Sequence, residues 1–187
     1  MSELQRRLCG DGVFDACTVL YRFEKGTPLQ TLIHELKYGG KTSVGYWLGR
    51  SLGELRLPGI GGRGGLLIPI PLHAVRRRER GYNQAELLCA GIAAASGGVV
   101  ATSCVRRIRN TPTQTSLGIG DRSENVRSAF GLSRRGRKRL RGHEAVLVDD
   151  VITTGATLRA CGALLREAGV VRLTACGVAM AALSPIS

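Results

Sequence analysis

The stretch VLVDDVITTGATL, residues 146–158, decides how this chain folds. Ala145 to Val148 are four apolar residues with the length and branching of a buried parallel strand. Past Gly155, the segment ATLRACGALLREAG carries Ala156, Leu158, Ala160, Ala163 and Leu164 at helical spacing. Strand, polar loop and helix in that order put the loop at the carboxyl end of the strand. In open α/β sheets ligands bind at that end.

The residue types of the loop say which ligands suit it. Asp149 and Asp150 can accept hydrogen bonds from a vicinal diol, or hold a hydrated Mg²⁺ directly or through water. Thr153, Thr154, Gly155, Ala156 and Thr157 add hydroxyls and successive backbone N–H groups at a helix N-terminus, with no bulky side chain at Gly155 or Ala156. A plain βα turn needs one capping residue, not two acids and three threonines. The pattern fits a ligand with sugar hydroxyls and a terminal phosphate.

Composition narrows the classes. The chain has 187 residues, enough for a real core, and its 43% hydrophobic content with 26 glycines fits an α/β protein with many tight turns. No apolar run is long enough to span a bilayer, and the first residues lack the apolar core of a signal peptide, so the expected location is cytoplasmic. A net charge of +13 predicts attraction to polyanions, whether pyrophosphate, nucleotide or nucleic acid. Aromatic content of 4% argues against a single-strand binding surface built on stacking platforms. Cys9, Cys17, Cys89, Cys104, Cys161 and Cys176 form no C-x-x-C pair, which leaves no zinc framework and reads mostly as small core residues.

Along the chain, Val13 to Phe23 reads as a strand. Thr27 and Pro28 then start a helix with Leu29, Leu32, Ile33 and Leu36 on one face, stopping at Gly39-Gly40. Lys37 and Tyr38 at its end could face the ligand, but a solvated helix terminus, where a cation is ordinarily stabilising, is the stronger of the two readings. A second helix, Ser43 to Leu55, turns Trp47, Leu48, Leu52 and Leu55 inward. Residues 1–60 thus read as an N-terminal flank or hood, and 61–187 as the core. The G-x-G-x-x-G at Gly59, Gly61 and Gly64 precedes a strand instead of following one, so it reads as a linker. No P-loop signature occurs.

Leu66 to Leu72 is the next strand, ended by its prolines. After His73, a weak ligand candidate at the strand tip, come Arg76 to Arg80 and Gly81, either solvated or beside the anion cradle if the two strands are neighbours. The helix AELLCAGIAAASGG follows. Residues 108–125 are polar, carry Pro112 and Gly118-Ile119-Gly120, and read as a mobile lid. Residues 133–144, SRRGRKRLRGHE, read as an exposed hairpin or loop, more a solvated segment than a nucleic-acid contact. Val170 to Ala179 is a last buried strand, and 182–187 a tail.

The loop at 146–158 resembles the 5-phosphoribosyl-1-pyrophosphate (PRPP) signature of type I phosphoribosyltransferases. IPIPLHAVRRRERGYNQAELL (68–88), RRIRNTPTQTSLGIGDRSENVRSAF (106–130) and LYRFEKGTPLQTLIHELKYGGK (20–41) resemble the ComF-type competence branch of that superfamily. The paired N-terminal cysteines of many members are missing here, and Cys9 and Cys17 are too sparse to rebuild a zinc ribbon. The resemblance implies a twisted, mainly parallel sheet flanked by helices and Asp149 and Asp150 on the ribose, with Mg²⁺ as cofactor. It also implies residues 153–157 on the 5-phosphate, and Leu72, His73 and Arg80 at the pyrophosphate loop. Arg107, Arg109 and Arg122 are the lid-borne candidates for pyrophosphate charge. A phosphoribosyl transfer to an unidentified nitrogenous acceptor is the implied activity. The alternative is a non-catalytic PRPP- or nucleotide-binding accessory of DNA uptake that engages single-stranded DNA or a helicase partner. A homodimer stays open.

Overall fold

A computed structural model describes residues 6, 8–55, 57, 65–108 and 129–181. Most of the glycine linker, nearly all of the expected lid with Arg109 and Arg122, and the tail lie outside the described residues. In chain order the elements are β1 (Ala16–Phe23), α1 (Pro28–Tyr38), α2 (Thr42–Glu54), β2 (Leu66–Pro69), α3 (Ala74–Arg80), α4 (Gln84–Ser96) and β3 (Val99–Val100). Then come β4 (Val105–Arg107), β5 (Phe130–Leu132), α5 (Arg134–Leu140), β6 (Glu144–Ile152), α6 (Ala156–Glu167) and β7 (Arg172–Ala181).

Five strands form one parallel sheet in the order β1-β7-β6-β2-β3, while β4 and β5 make a separate antiparallel ribbon. The chain is therefore an α/β protein with a parallel sheet between helices, as the acid-bearing stretch predicts. Residues 16–54 supply its edge strand β1 and two of its helices. The expected first strand starts three residues late, at Ala16, because Asp15 is occupied in bonding to Leu173 at the neighbouring strand. The expected strand 66–72 stops at Pro69. Ile70 still donates to Val148 O at 2.9 Å, but Pro71 has no N–H to continue the ladder.

Side chains of β6 alternate between two cores, as a strand period of two requires. Ala145 and Leu147 face a layer made by α6, α5 and the β4–β5 ribbon; Val146 and Val148 face a layer made by α2 and α4. All four are fully buried, and burying an aliphatic side chain stabilises by roughly 1.5–3 kcal/mol. The strand that presents the acids is consequently anchored on both faces.

Packing of α2 on α4 corrects the sequence reading. Trp47 and Leu55 point outward, 60% and 50% exposed, and Leu32 of α1 is also exposed. The inward face of α2 consists of Gly45, Gly49, Leu52 and Gly53. A Cβ at Gly45 would lie 2.8 Å from Leu87 Cβ, and one at Gly53 would lie 2.8 Å from Ile92 O. Added carbons at Gly49 and Gly91 would run into the carbonyls of Leu88 and Tyr46. Two backbones approach so closely that glycine, not a large apolar residue, marks the contact face. Hydrophobic periodicity therefore finds Leu52 and the partly buried Leu48 but misplaces Trp47 and Leu55, because glycines carry no apolar signal.

From β6 the chain passes through α6 to β7 on one side, and from β2 through α4 to β3 on the other. The direction of travel reverses between β6 and β2. A crevice opens between carboxyl ends at such a reversal, and it receives ligands in α/β sheets.

Candidate functional site

Asp149 and Asp150 end the buried run of β6 at this reversal. Being adjacent in a strand, they lie on opposite faces. Asp149 falls on the α6 side, where its charge is felt by the buried thiol of Cys161. Asp150, 8% exposed, falls on the other side and meets Lys37 of α1, with Nζ 3.1 Å from Oδ2. Burial first, and the Asp150 carboxylate second, push the Asp149 carboxyl well above its ordinary value of 3.8. Backbone N–H groups help hold both acids: Asp150 N donates to Asp149 Oδ1 at 2.9 Å, and Val151 N donates to Asp150 Oδ1 at 2.6 Å.

The Lys37 contact overturns the solvated-terminus reading. Its side chain is 24% exposed and committed to Asp150. Helical spacing alone could not reveal this, since the partner lies more than a hundred residues away.

Gly155 caps α6 with φ +76°, a conformation that favours glycine, and a Cβ there would meet Leu8 Cδ2 at 2.5 Å. Thr153 and Thr154 before it are exposed, and Ala156 and Thr157 open the helix. Thr154 Oγ1 accepts from Ala156 N at 3.3 Å, and Thr154 O accepts from Arg159 at 2.9 Å. Arg159 also lies 3.7 Å from Asp11. This arginine, missed by the sequence reading, braces the loop from the first turn of α6. Hydroxyls, N–H groups and the positive end of a twelve-residue helix converge here, which suits a phosphate.

Across the reversal, β2 pairs directly with β6, so the tip at Leu72 and His73 is a neighbour of the acids. His73 caps α3, its Nδ1 accepting from Val75 N at 3.3 Å. The basic run after it forms this short helix, which the sequence reading left unassigned. α3 ends at Gly81, φ +79°. Arg80 stacks 4.9 Å over the Tyr38 ring and reaches its hydroxyl at 3.4 Å. Arg77 is taken by Glu86 at 3.0 Å. Tyr82 donates to Leu36 O at 2.6 Å, and Asn83 Nδ2 donates to Ile70 O at 2.9 Å while capping α4. The strand tip, α3 and the end of α1 are thus tied into one wall. Gln84, 2% exposed at the start of α4, keeps an Nε2 without a hydrogen-bond partner among the described residues.

Arg107 lies on β4, half-buried over the Phe130 ring at 5.4 Å. Burial, then the charge of Arg76, lowers its pKa, and it shares the field of Cys161 with Asp149. Arg76 is a second cation felt on this side, which favours the reading that places the basic run beside the loop. Ile108 N donates to Ala129 O at 2.7 Å, so residues 109–128 connect two bonded strands. Residues 133–144 are not a hairpin. Ser133 Oγ accepts from Gly136 N at 2.9 Å and starts α5, whose Leu140 is fully buried.

Cys89, Cys104, Cys161 and Cys176 are buried; Cys9 and Cys17 are half-buried and face each other, the Cys17 thiol pushed up to about 12, chiefly by burial. Among the described residues no group of three or more His, Cys, Asp or Glu side chains could hold a metal ion. The donor chemistry of the acids does suit a hard dication, because two adjacent carboxylates offer only oxygen ligands. Asp149 and Asp150 would hold Mg²⁺, with water and phosphate oxygens completing its shell. No helix among the described residues is long and apolar enough to cross a membrane.

Residues 81–182 match the phosphoribosyl transferase domain family. Competence protein F of Haemophilus influenzae is 33% identical over 168 residues, covering 82% of this chain and 69% of that protein. The DNA utilization protein YhgH of Salmonella typhimurium is 32% identical over 152 residues, and that of Escherichia coli K12 is 33% identical over 147. Each of these two matches covers 76% of this chain and 63% of the relative, so this chain spans somewhat under two thirds of their length. An acid pair and a threonine-glycine loop meet at the reversal of a parallel sheet, and the family match runs through both: the chain belongs to the ComF-type, phosphoribosyltransferase-like family.

Proposed function

We propose that this chain binds PRPP with Mg²⁺ at the carboxyl edge of the sheet and transfers its phosphoribosyl group to a nitrogenous acceptor. The observation that carries this reading is the joining of Asp149 and Asp150 to the 153–157 loop at the point where the strand order reverses. The carboxylates accept from the ribose hydroxyls, and the loop N–H and hydroxyl groups hold the 5-phosphate. Leu72 and His73 at the β2 tip, with Arg80 and Arg107 nearby, line the pyrophosphate end. Arg109 and Arg122 are the further candidates on the connecting segment. In the reaction the bond from C1 to pyrophosphate breaks and a bond from C1 to the acceptor nitrogen forms. Negative charge grows on the departing group, so preorganised cations there favour the transition state. Bound Mg²⁺ would supply charge neutralisation on the same group. Closure of residues 108–125 would exclude water.

A second reading draws on the relatives' names and on α5. Six basic residues lie between Arg134 and Arg141, and Arg137, Lys138 and Arg141 line a groove of about 470 Å³ with Glu167. In this reading the chain serves DNA uptake in the cytoplasm, and this surface engages single-stranded DNA or a helicase partner.

Titration calorimetry with PRPP and Mg²⁺ separates the two. Micromolar binding, roughly −8 kcal/mol, should vanish in Asp149→Asn/Asp150→Asn. A folded wild type that binds no PRPP but binds DNA with steep salt dependence would favour the second reading.

A further inference from the structure

We propose that Lys37 is a switching cation of this site: it neutralises Asp150 before ligand enters, and moves to the pyrophosphate oxygens when the ribose hydroxyls take Asp150. This rests on the PRPP reading and assigns a residue within it.

Asp150 is nearly buried, beside a second carboxylate, and a buried charge left unpaired is strongly destabilising. The Lys37 ammonium at 3.1 Å answers that need. Its backbone is clamped on both sides. Leu36 is fully buried with its carbonyl held by Tyr82 at 2.6 Å, and Tyr38 lies under the Arg80 guanidinium at 4.9 Å. Glu35, a rival carboxylate on the same turn, is engaged by Lys41 at 2.9 Å. What remains movable is a four-carbon stem carrying a point charge, which can pivot without breaking a bidentate fork.

The exchange balances chemically. A ribose hydroxyl donates a hydrogen bond to Asp150 as the ammonium did, and the positive charge that the ammonium withdraws would be replaced by Mg²⁺ arriving with the ligand. The displaced ammonium is released on the wall that Tyr38 and Arg80 join to the β2 tip, where pyrophosphate needs cations.

Ribose 5-phosphate, which lacks the pyrophosphate, separates the two roles. Calorimetry with Mg²⁺ should show Lys37→Gln binding PRPP about ten- to hundredfold more weakly than wild type, yet binding ribose 5-phosphate more tightly, because its competitor for Asp150 is gone. Equal losses for both ligands, or no change in either, would overturn the proposal. Should Lys37→Gln fail to fold, Lys37→Arg keeps the charge but fixes it to Asp150 as a planar fork. It should weaken both ligands, and wild-type binding by that variant would overturn the exchange. A wild type that binds neither ligand rejects the PRPP reading itself, and the proposal with it.

Discussion

The two ends of the sheet handle polar groups in opposite ways. At the carboxyl end Asp149 is held above its ordinary pKa by burial and by Asp150, and Gln84 keeps a buried donor unpaired among the described residues. At the amino end one guanidinium, that of Arg166, reaches Val13 O at 2.9 Å, Val170 O at 3.3 Å, Val171 O at 3.2 Å and Asp15 Oδ2 at 2.6 Å. Asp15 also accepts from Leu173 N at 2.7 Å. One end is electrostatically costly and open to relief by a ligand; the other is already satisfied. A site that binds a charged ligand has to leave charge uncompensated, and the cost is carried by the rest of the fold.

The contrast can be broken first at its stable end. Arg166→Ala removes these bonds and should cost about 2–3 kcal/mol, lowering Tm by about 4–12 °C for a domain of this size. An unchanged Tm would show that the amino end is not a clamp. Its pH signature has a definite sign. Against the opposing effect of burial, the Leu173 N–H and Arg166 hold the Asp15 carboxyl below its ordinary value. Its contribution is present above the unfolded carboxylate range and disappears as pH falls through the lowered value.

Asp149 has the reverse sign. The folded protein keeps its proton to higher pH than the unfolded chain, so stability falls as pH rises from the ordinary carboxylate range through the raised value. Asp149→Asn should therefore raise stability at pH 8 by on the order of 1 kcal/mol, about 2–4 °C in Tm, while weakening Mg²⁺–PRPP binding. Thermal unfolding from pH 4 to 8 checks both slope and sign. Gln84→Met, which removes the unpaired donor, should be neutral or stabilising by up to about 1 kcal/mol. A marked loss would mean that the amide has a partner of its own.

The smallest effect is expected on α5. Arg137→Glu/Lys138→Glu/Arg141→Glu alters side chains on a solvated helix and should leave stability within about 0.5 kcal/mol per site and PRPP binding unchanged. If nucleic acid docks there, the slope of log affinity against log salt should shrink by about 3. A fall in PRPP affinity instead would show that the two ends communicate.

Legibility of this protein in its sequence followed the range of the interactions. The strand, loop and helix at 145–167, the strand-ending prolines at 69 and 71 and the helix start at Pro28 were readable, because local sterics and periodicity set them. Helix α5 was not, since a Ser133 cap, one buried leucine and a Gly136 whose added Cβ would lie 2.7 Å from Cys104 O replace an apolar stripe. The inward face of α2 failed for a related reason: its glycines carry no hydrophobic signal, and their value exists only against α4.

The sequence by itself determined the acids, the threonine-glycine loop and their place at a strand end, because adjacent residues in one βα unit are positioned by local geometry. Tertiary structure alone decided that Lys37 closes on Asp150 across 113 residues, that Arg80 stacks on Tyr38, and that Asp149 and Asp150 face different layers of the protein. Those depend on which strands and helices become neighbours, and pairing between distant segments leaves no period in the chain.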